Sequence, residues 1–180
     1  DLGKMDQWHY QIEDRSIQIA GPWMLEFLKG GPVLPSKQNL DTLKYWTSLD
    51  NVDMDNFSGV AAYSTVFSID APLSTNYLLK LPNLRESARV IVNGHEAGVV
   101  WGLPYEINIG EFVKAGQNHI RIEVANLMAN RIRYMDKNKL PWRNFNEINF
   151  VNIAYKPFDA SNWDVLPSGL AGPVVVECIK

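Results

Sequence analysis

The chain has 180 residues, 46% of them apolar and 21% charged, with a formal net charge of −3. That composition supplies one packed core and is too apolar for a disordered tail. The acidic balance excludes a polyanion partner: the 17 Lys and Arg are scattered, and only Asn130-Arg131-Ile132-Arg133 makes a short basic step where a nucleic-acid binder needs a stripe. No apolar run approaches the ~20 residues that a membrane-spanning helix requires, and no basic-then-apolar leader opens the sequence.

In chain order, residues 1–16 are polar and patternless and read as a linker or arm; a single domain is expected over 17–180. From there the dominant period is two, which puts alternate side chains on one face of a strand. Trp23, Leu25 and Phe27 form the first such set. Tyr63, Thr65, Phe67 and Ile69 follow, and Tyr77, Leu79 and Leu81 resume after a break at Ala71-Pro72. Ala88, Val90 and Val92 lead into Asn93-Gly94, a pair suited to the two φ > 0 positions of a type I′ hairpin turn. Tyr105, Ile107 and Ile109 come next, then Ile120, Ile122 and Val124 after a short helical turn at Glu111–Lys114, and Val174, Val176 and Cys178 close the series. The two helix candidates are Asp41–Trp46 and Leu127–Met135. Short strands with turns at this spacing predict an all-β sandwich.

The stretch 128–167 breaks the alternation. Polar residues there mix with Trp142, Phe145, Phe150, Tyr155, Phe158 and Trp163. A loop excursion of this length is either pinned to the sandwich edge by its aromatics or is a ligand-binding or docking element.

Catalytic chemistry is hard to assemble from these residues. The three histidines, His9, His95 and His119, lack metal-ligand spacing, and no Gly-x-Ser-x-Gly, phosphate loop or His-Glu-x-x-His occurs. His95 and His119 read as exposed strand residues. Asp50, Asp53 and Asp55 form an acidic cluster without a calcium-loop pattern, so a solvated loop is the expectation and structural calcium the lesser alternative. A facing carboxylate pair of the glycosidase kind is not excluded by a sequence with 20 acids. The single cysteine, Cys178, precludes an internal disulfide and suits a buried position. What the chain does offer is sugar-recognition chemistry. Trp and Tyr stack on apolar C–H faces, and Trp101, Tyr105, Trp142 and Trp163 lie at strand ends or in the long loop, where binding residues concentrate. Asn126, Asn130, Arg131 and Arg133 add hydroxyl partners where the Asn118–Ala125 strand ends. Trp23 and Trp46 read as structural.

Several stretches together resemble a known domain. Phe57-Ser58-Gly59-Val60-Ala61-Ala62-Tyr63 is similar to the entry strand of sugar-binding domains in glycoside hydrolases, and Val90-Ile91-Val92-Asn93-Gly94 to their hairpin. Trp101-Gly102-Leu103-Pro104-Tyr105, Ala115-Gly116-Gln117-Asn118, Ala129-Asn130-Arg131-Ile132 and Leu166-Pro167-Ser168-Gly169-Leu170-Ala171-Gly172-Pro173-Val174 follow in the family's order. The set resembles the galactose-binding-like jelly-roll domain of family-2 glycoside hydrolases, closest to the C-terminal domain of family-106 α-L-rhamnosidase-like proteins. The resemblance implies a jelly roll and a non-catalytic accessory role beside the catalytic domain of the same parent chain. It also implies carbohydrate as partner, no cofactor, and a periplasmic or extracellular home. It further implies that Asn126 and Asn130 are candidates to reach the active site of a neighbouring catalytic barrel. Gly110, Met128 and the run Met135-Asp136-Lys137 depart from the family pattern. Three roles are expected to compete: a buttress for a catalytic module, an independent carbohydrate-binding module, and a protein-docking sandwich with no sugar ligand.

Overall fold

The computed structural model describes residues 12–70, 76–143 and 156–179. Residues 1–11 of the arm, the Ala71-Pro72 break, and Phe145, Phe150 and Tyr155 of the excursion lie outside the described residues.

The strands in chain order are β1 (Ile12–Gln18), β2 (Trp23–Gly31), β3 (Gln38–Leu40), β4 (Ser58–Ile69), β5 (Tyr77–Lys80) and β6 (Asn83–Arg85). They continue with β7 (Ser87–Val92), β8 (His95–Val100), β9 (Glu106–Asn108), β10 (Gly116–Ala125), β11 (Gly169–Ala171) and β12 (Val175–Ile179). A four-stranded sheet runs β1-β12-β5-β9, a six-stranded sheet β3-β2-β4-β10-β7-β8, and β11 pairs with β6 as a small ribbon. Every pairing among the described residues is antiparallel. The result is the all-β jelly-roll sandwich expected from the period-two pattern.

The alternating sets do bury together: Trp23, Leu25, Tyr63, Ile69, Leu79, Val90, Ile120, Ile122, Val176 and Cys178 share one core. Burial of these side chains between two sheets is what makes the strands stable, since a lone hairpin has no second surface to exclude water. Asn93 and Gly94 take φ of 52° and 84°, the turn their pairing predicted, and join β7 to β8. His95 and His119 are exposed and Cys178 is buried, as read from their neighbours.

Three local expectations change. β1 begins at Ile12 and pairs with β12, so the sandwich starts inside the stretch read as an arm. Asp41–Trp46 forms no helix; Trp46–Ser48 is a 3-10 turn instead. Trp46 there meets Phe27 and Phe57 edge to face at centroid distances of 5.8 and 5.9 Å, and such docking of a large ring outweighs local helix preference. The Glu111–Lys114 segment is a turn closed by Phe112 N–H to Ile109 O at 3.0 Å, and Asn108 Oδ1 takes the Gly110 N–H at 2.9 Å. Among the described residues the α-helices are α1 (Val52–Asp55) and α2 (Ala129–Lys137), the second two residues later than its predicted span. Asn51 caps α1 by accepting the Asp53 and Met54 N–H groups at 2.9 and 3.2 Å.

Candidate functional site

The chemistry nominated from sequence falls into three places. The first is the join of β10 to α2. Asn126 Oδ1 accepts the Gly59 N–H at 2.9 Å, while its Nδ2 donates to Phe57 O at 3.0 Å and to Ser168 Oγ at 3.1 Å. Asn130 is 1% exposed. Its Nδ2 donates to Leu166 O at 2.9 Å, and its Oδ1 accepts the Leu166 N–H at 2.8 Å. It also reaches Ser168 Oγ at 3.3 Å. The two amides therefore act as a clamp, tying the returning segment 166–168 to the start of β4 and the helix. A buried amide needs such partners, because each unpaired polar atom costs about 1–3 kcal/mol. Little of their hydrogen-bonding capacity is left for a sugar hydroxyl. Arg131 packs beneath Gly31, where an added Cβ would stand 2.5 Å from its Nη1, and that nitrogen has no hydrogen-bond partner among the described residues.

The second place is the excursion. Asp136 gathers it: one carboxylate oxygen accepts the Trp142 Nε1–H at 2.6 Å and the other the Ala160 N–H at 2.8 Å. Arg143 reaches the same carboxylate at 3.4 Å, donates to Phe158 O, and lies over the Trp142 ring at 5.2 Å. Phe158 then meets Trp142 and Trp163 edge to face, at 5.9 and 5.5 Å. Arg133 donates from Nε to Trp163 O at 2.7 Å. Trp142 and Trp163 are thus brought together through Phe158, with the Trp142 indole N–H donated to Asp136.

The third place is the β8–β9 connection. Tyr105 is half-buried against the core, but Trp101 is 79% exposed and Leu103 81% exposed, with Val99 of β8 bare beside them. Large apolar side chains at that exposure are the kind of patch that soluble chains cover with a partner.

Asp50, Asp53 and Asp55 do not converge. Among the described residues no three His, Cys, Asp or Glu side chains are placed to hold a metal ion. Asp53 and Asp55 lie in the first turn of α1, where carboxylates complement the positive end of the helix dipole. Burial raises the Asp55 carboxyl above its ordinary value, against the pull of Arg133 and with a further push from Asp50.

Sequence reasoning missed an ion ladder on the outer face of the six-stranded sheet. Glu123 receives Arg89 Nε at 2.9 Å, Arg89 Nη2, and Arg121 Nε at 2.9 Å. Arg121 also approaches Glu26 at 3.4 Å and Arg89 approaches Glu96 at 3.5 Å. Burial acts to raise the Glu123 carboxyl, but the hydrogen bonds from Arg121 and Arg89 outweigh it and hold the group below the usual carboxylate range. The signal was present as the strict alternation of Arg121 and Glu123 on β10, yet which strands flank β10 is decided only on folding.

This architecture has relatives. Residues 49–174 match the family model described as glycosyl hydrolase 2 galactose-binding domain-like. The chain belongs to that family. A Formosa agariphila protein bearing the name "Putative beta-glucuronidase" is 32% identical over 182 aligned residues, which cover 91% of this chain and 16% of that protein. Among solved structures, the rhamnosidase of Novosphingobium sp. PP1Y superposes with a TM-score of 0.71 at 26% identity, covering 97% of this chain and 16% of that one. A family-2 beta-galacturonidase from Eisenbergiella tayi shares the fold alone, with a TM-score of 0.57 at 14% identity over 93% of this chain. This galactose-binding-like domain therefore spans about a sixth of the length of the first relatives it matches, and its sandwich recurs as one part of far longer chains.

Proposed function

We propose that this domain is a non-catalytic accessory element of a larger glycoside hydrolase and that it buttresses the catalytic module of the same polypeptide. One contrast carries the reading. The amides that would serve a sugar, Asn126 and Asn130, are consumed by the clamp, whereas Trp101 and Leu103 stand bare on the β8–β9 connection. An apolar prong is suited to insert into a protein surface, where each buried large side chain contributes about 1.5–3 kcal/mol. The short share of its relatives that the domain spans supports the same view. An extracytoplasmic home, implied by the family resemblance, is part of this proposal.

The test is hydrogen exchange on the β8–β9 connection in the full-length parent and in the 180-residue chain. Docking predicts strong protection of that connection in the parent alone, and loss of it in Trp101→Asp/Leu103→Asp. Equal exchange in both forms overturns the buttress reading.

A further inference from the structure

The outer face of the six-stranded sheet carries a groove of about 410 Å³ that none of the elements described above occupies. Its shape follows from the register. One cross-strand row reads Lys29, Val60, Ala125, Ser87; the next reads Glu26, Ala62, Glu123, Arg89, Val99. The middle of the first row is filled by Val60 and Ala125, and the second carries Ala62 beside the Glu123–Arg89 pair. Leu28 and Lys29 on β2 and Val99 on β8 line the groove's margins. A trough of this volume lies within the range of small-molecule sites.

The groups facing the trough are of two kinds. Leu28, Val60 and Val99 offer apolar surface. Lys29, Ser87 and Arg89 offer donors. Arg89 is held in place by Glu123, and that carboxylate is already shared by two guanidinium groups. Neither Lys29 nor Ser87 has a side-chain hydrogen bond or ion pair among the described residues. Arg89 is matched by Glu123 and Glu96, so among the described residues Lys29 is the cation of the lining without a charge partner. Apolar contacts for C–H faces, a free hydroxyl, a preorganised guanidinium and an unpaired ammonium form a set with one chemical complement.

We infer that this trough is a binding site for a saccharide bearing a carboxylate, with the acid group on Lys29 and the spare Arg89 donors and the ring hydroxyls on Ser87. It borders the β8–β9 patch at Val99 but uses neither Trp101 nor Leu103, so Trp101→Asp/Leu103→Asp, which removes the docking prong, should leave this binding in place.

The experiment is calorimetric titration of the 180-residue chain with trigalacturonate and, in parallel, with its fully methyl-esterified, uncharged form. The acid is expected to bind, more weakly as salt rises, and the ester to bind at least about tenfold more weakly, the loss of one charge-assisted contact. Lys29 is exposed, so Lys29→Glu leaves the fold intact and should abolish binding, while Lys29→Arg should retain it. Absence of binding by the folded chain, equal binding of acid and ester, or indifference to Lys29→Glu each overturns the inference. Equal binding of hexaglutamate also overturns it, and would make the trough a docking site for an acidic polypeptide.

Discussion

Replacing Asn130 by alanine tests whether the clamp is structural. The side chain makes two well-formed backbone hydrogen bonds to Leu166, at 2.9 and 2.8 Å, and a longer one to Ser168 Oγ at 3.3 Å. Each of the first two contributes about 1 kcal/mol net, and the longer one adds little. Leu166 is partly exposed, so water recovers some of the loss at its freed backbone groups. The residue itself is 1% exposed, and its truncation leaves a small unfilled volume. The expected cost is therefore about 2–3 kcal/mol. For a chain of this size, 1 kcal/mol moves Tm by about 2–4 °C, so Tm should fall by roughly 5–10 °C. Circular dichroism melts of parent and variant measure it. Limited proteolysis should show new cleavage near 166–168 as the returning segment loosens. A fall of less than about 2 °C with an unchanged proteolytic pattern would refute the clamp and return Asn130 to the pool of ligand candidates.

Two further outcomes follow from the same physics. Gly169 has φ of 112°, and a Cβ there would lie 2.7 Å from the buried Trp46 ring and closer still to Tyr63 Oη, so Gly169→Ala should cost more than about 3 kcal/mol. Gly94→Ala, at φ 84° with open space around it, should cost only about 1 kcal/mol; urea midpoints that rank the two the other way would contradict the packing argument. The folded-state pKa of Glu123 is depressed, so its contribution is present above the unfolded value of about 4.3 and is lost as pH falls through the lower folded one. Glu123→Gln should therefore flatten the decline of stability below about pH 4, and parallel acid limbs for the two proteins would show the ladder to be inert.

Much of the fold was legible because a strand with one buried face writes its period into the chain. Tyr63, Phe67 and Ile69, or Ile120, Ile122 and Val124, can point to one side only if their neighbours point to the other. The hairpin at Asn93-Gly94 was legible for a local reason, the positive φ that each of those residues tolerates. The helix α1 was not legible, because four helical residues are too few for a period to show. The burial of Trp23, Trp46 and Cys178 also followed from their sequence neighbours.

The site was less legible, because a side chain's role depends on what lies across from it. Asn126 and Asn130 had the right chemistry for a sugar, yet Ser168 and Leu166, some forty residues away in sequence, take up their hydrogen bonds. Trp142 looked like a platform, yet Arg143 lies over its ring and Asp136 takes its indole N–H, and Asp136 itself stood only as a departure from the family pattern. Trp101, in a similar strand-end context, meets no such partner among the described residues and stays bare. The trough exists because the register sets Val60, Ala125 and Ser87, from three separate strands, side by side. Alternation and turn chemistry act over a few neighbouring residues, so the sequence alone determined the long alternating strands, the hairpin and the core. Partnership, exposure and charge balance arise between strands, so only the tertiary structure decided which polar groups were already spent and which surfaces were left open.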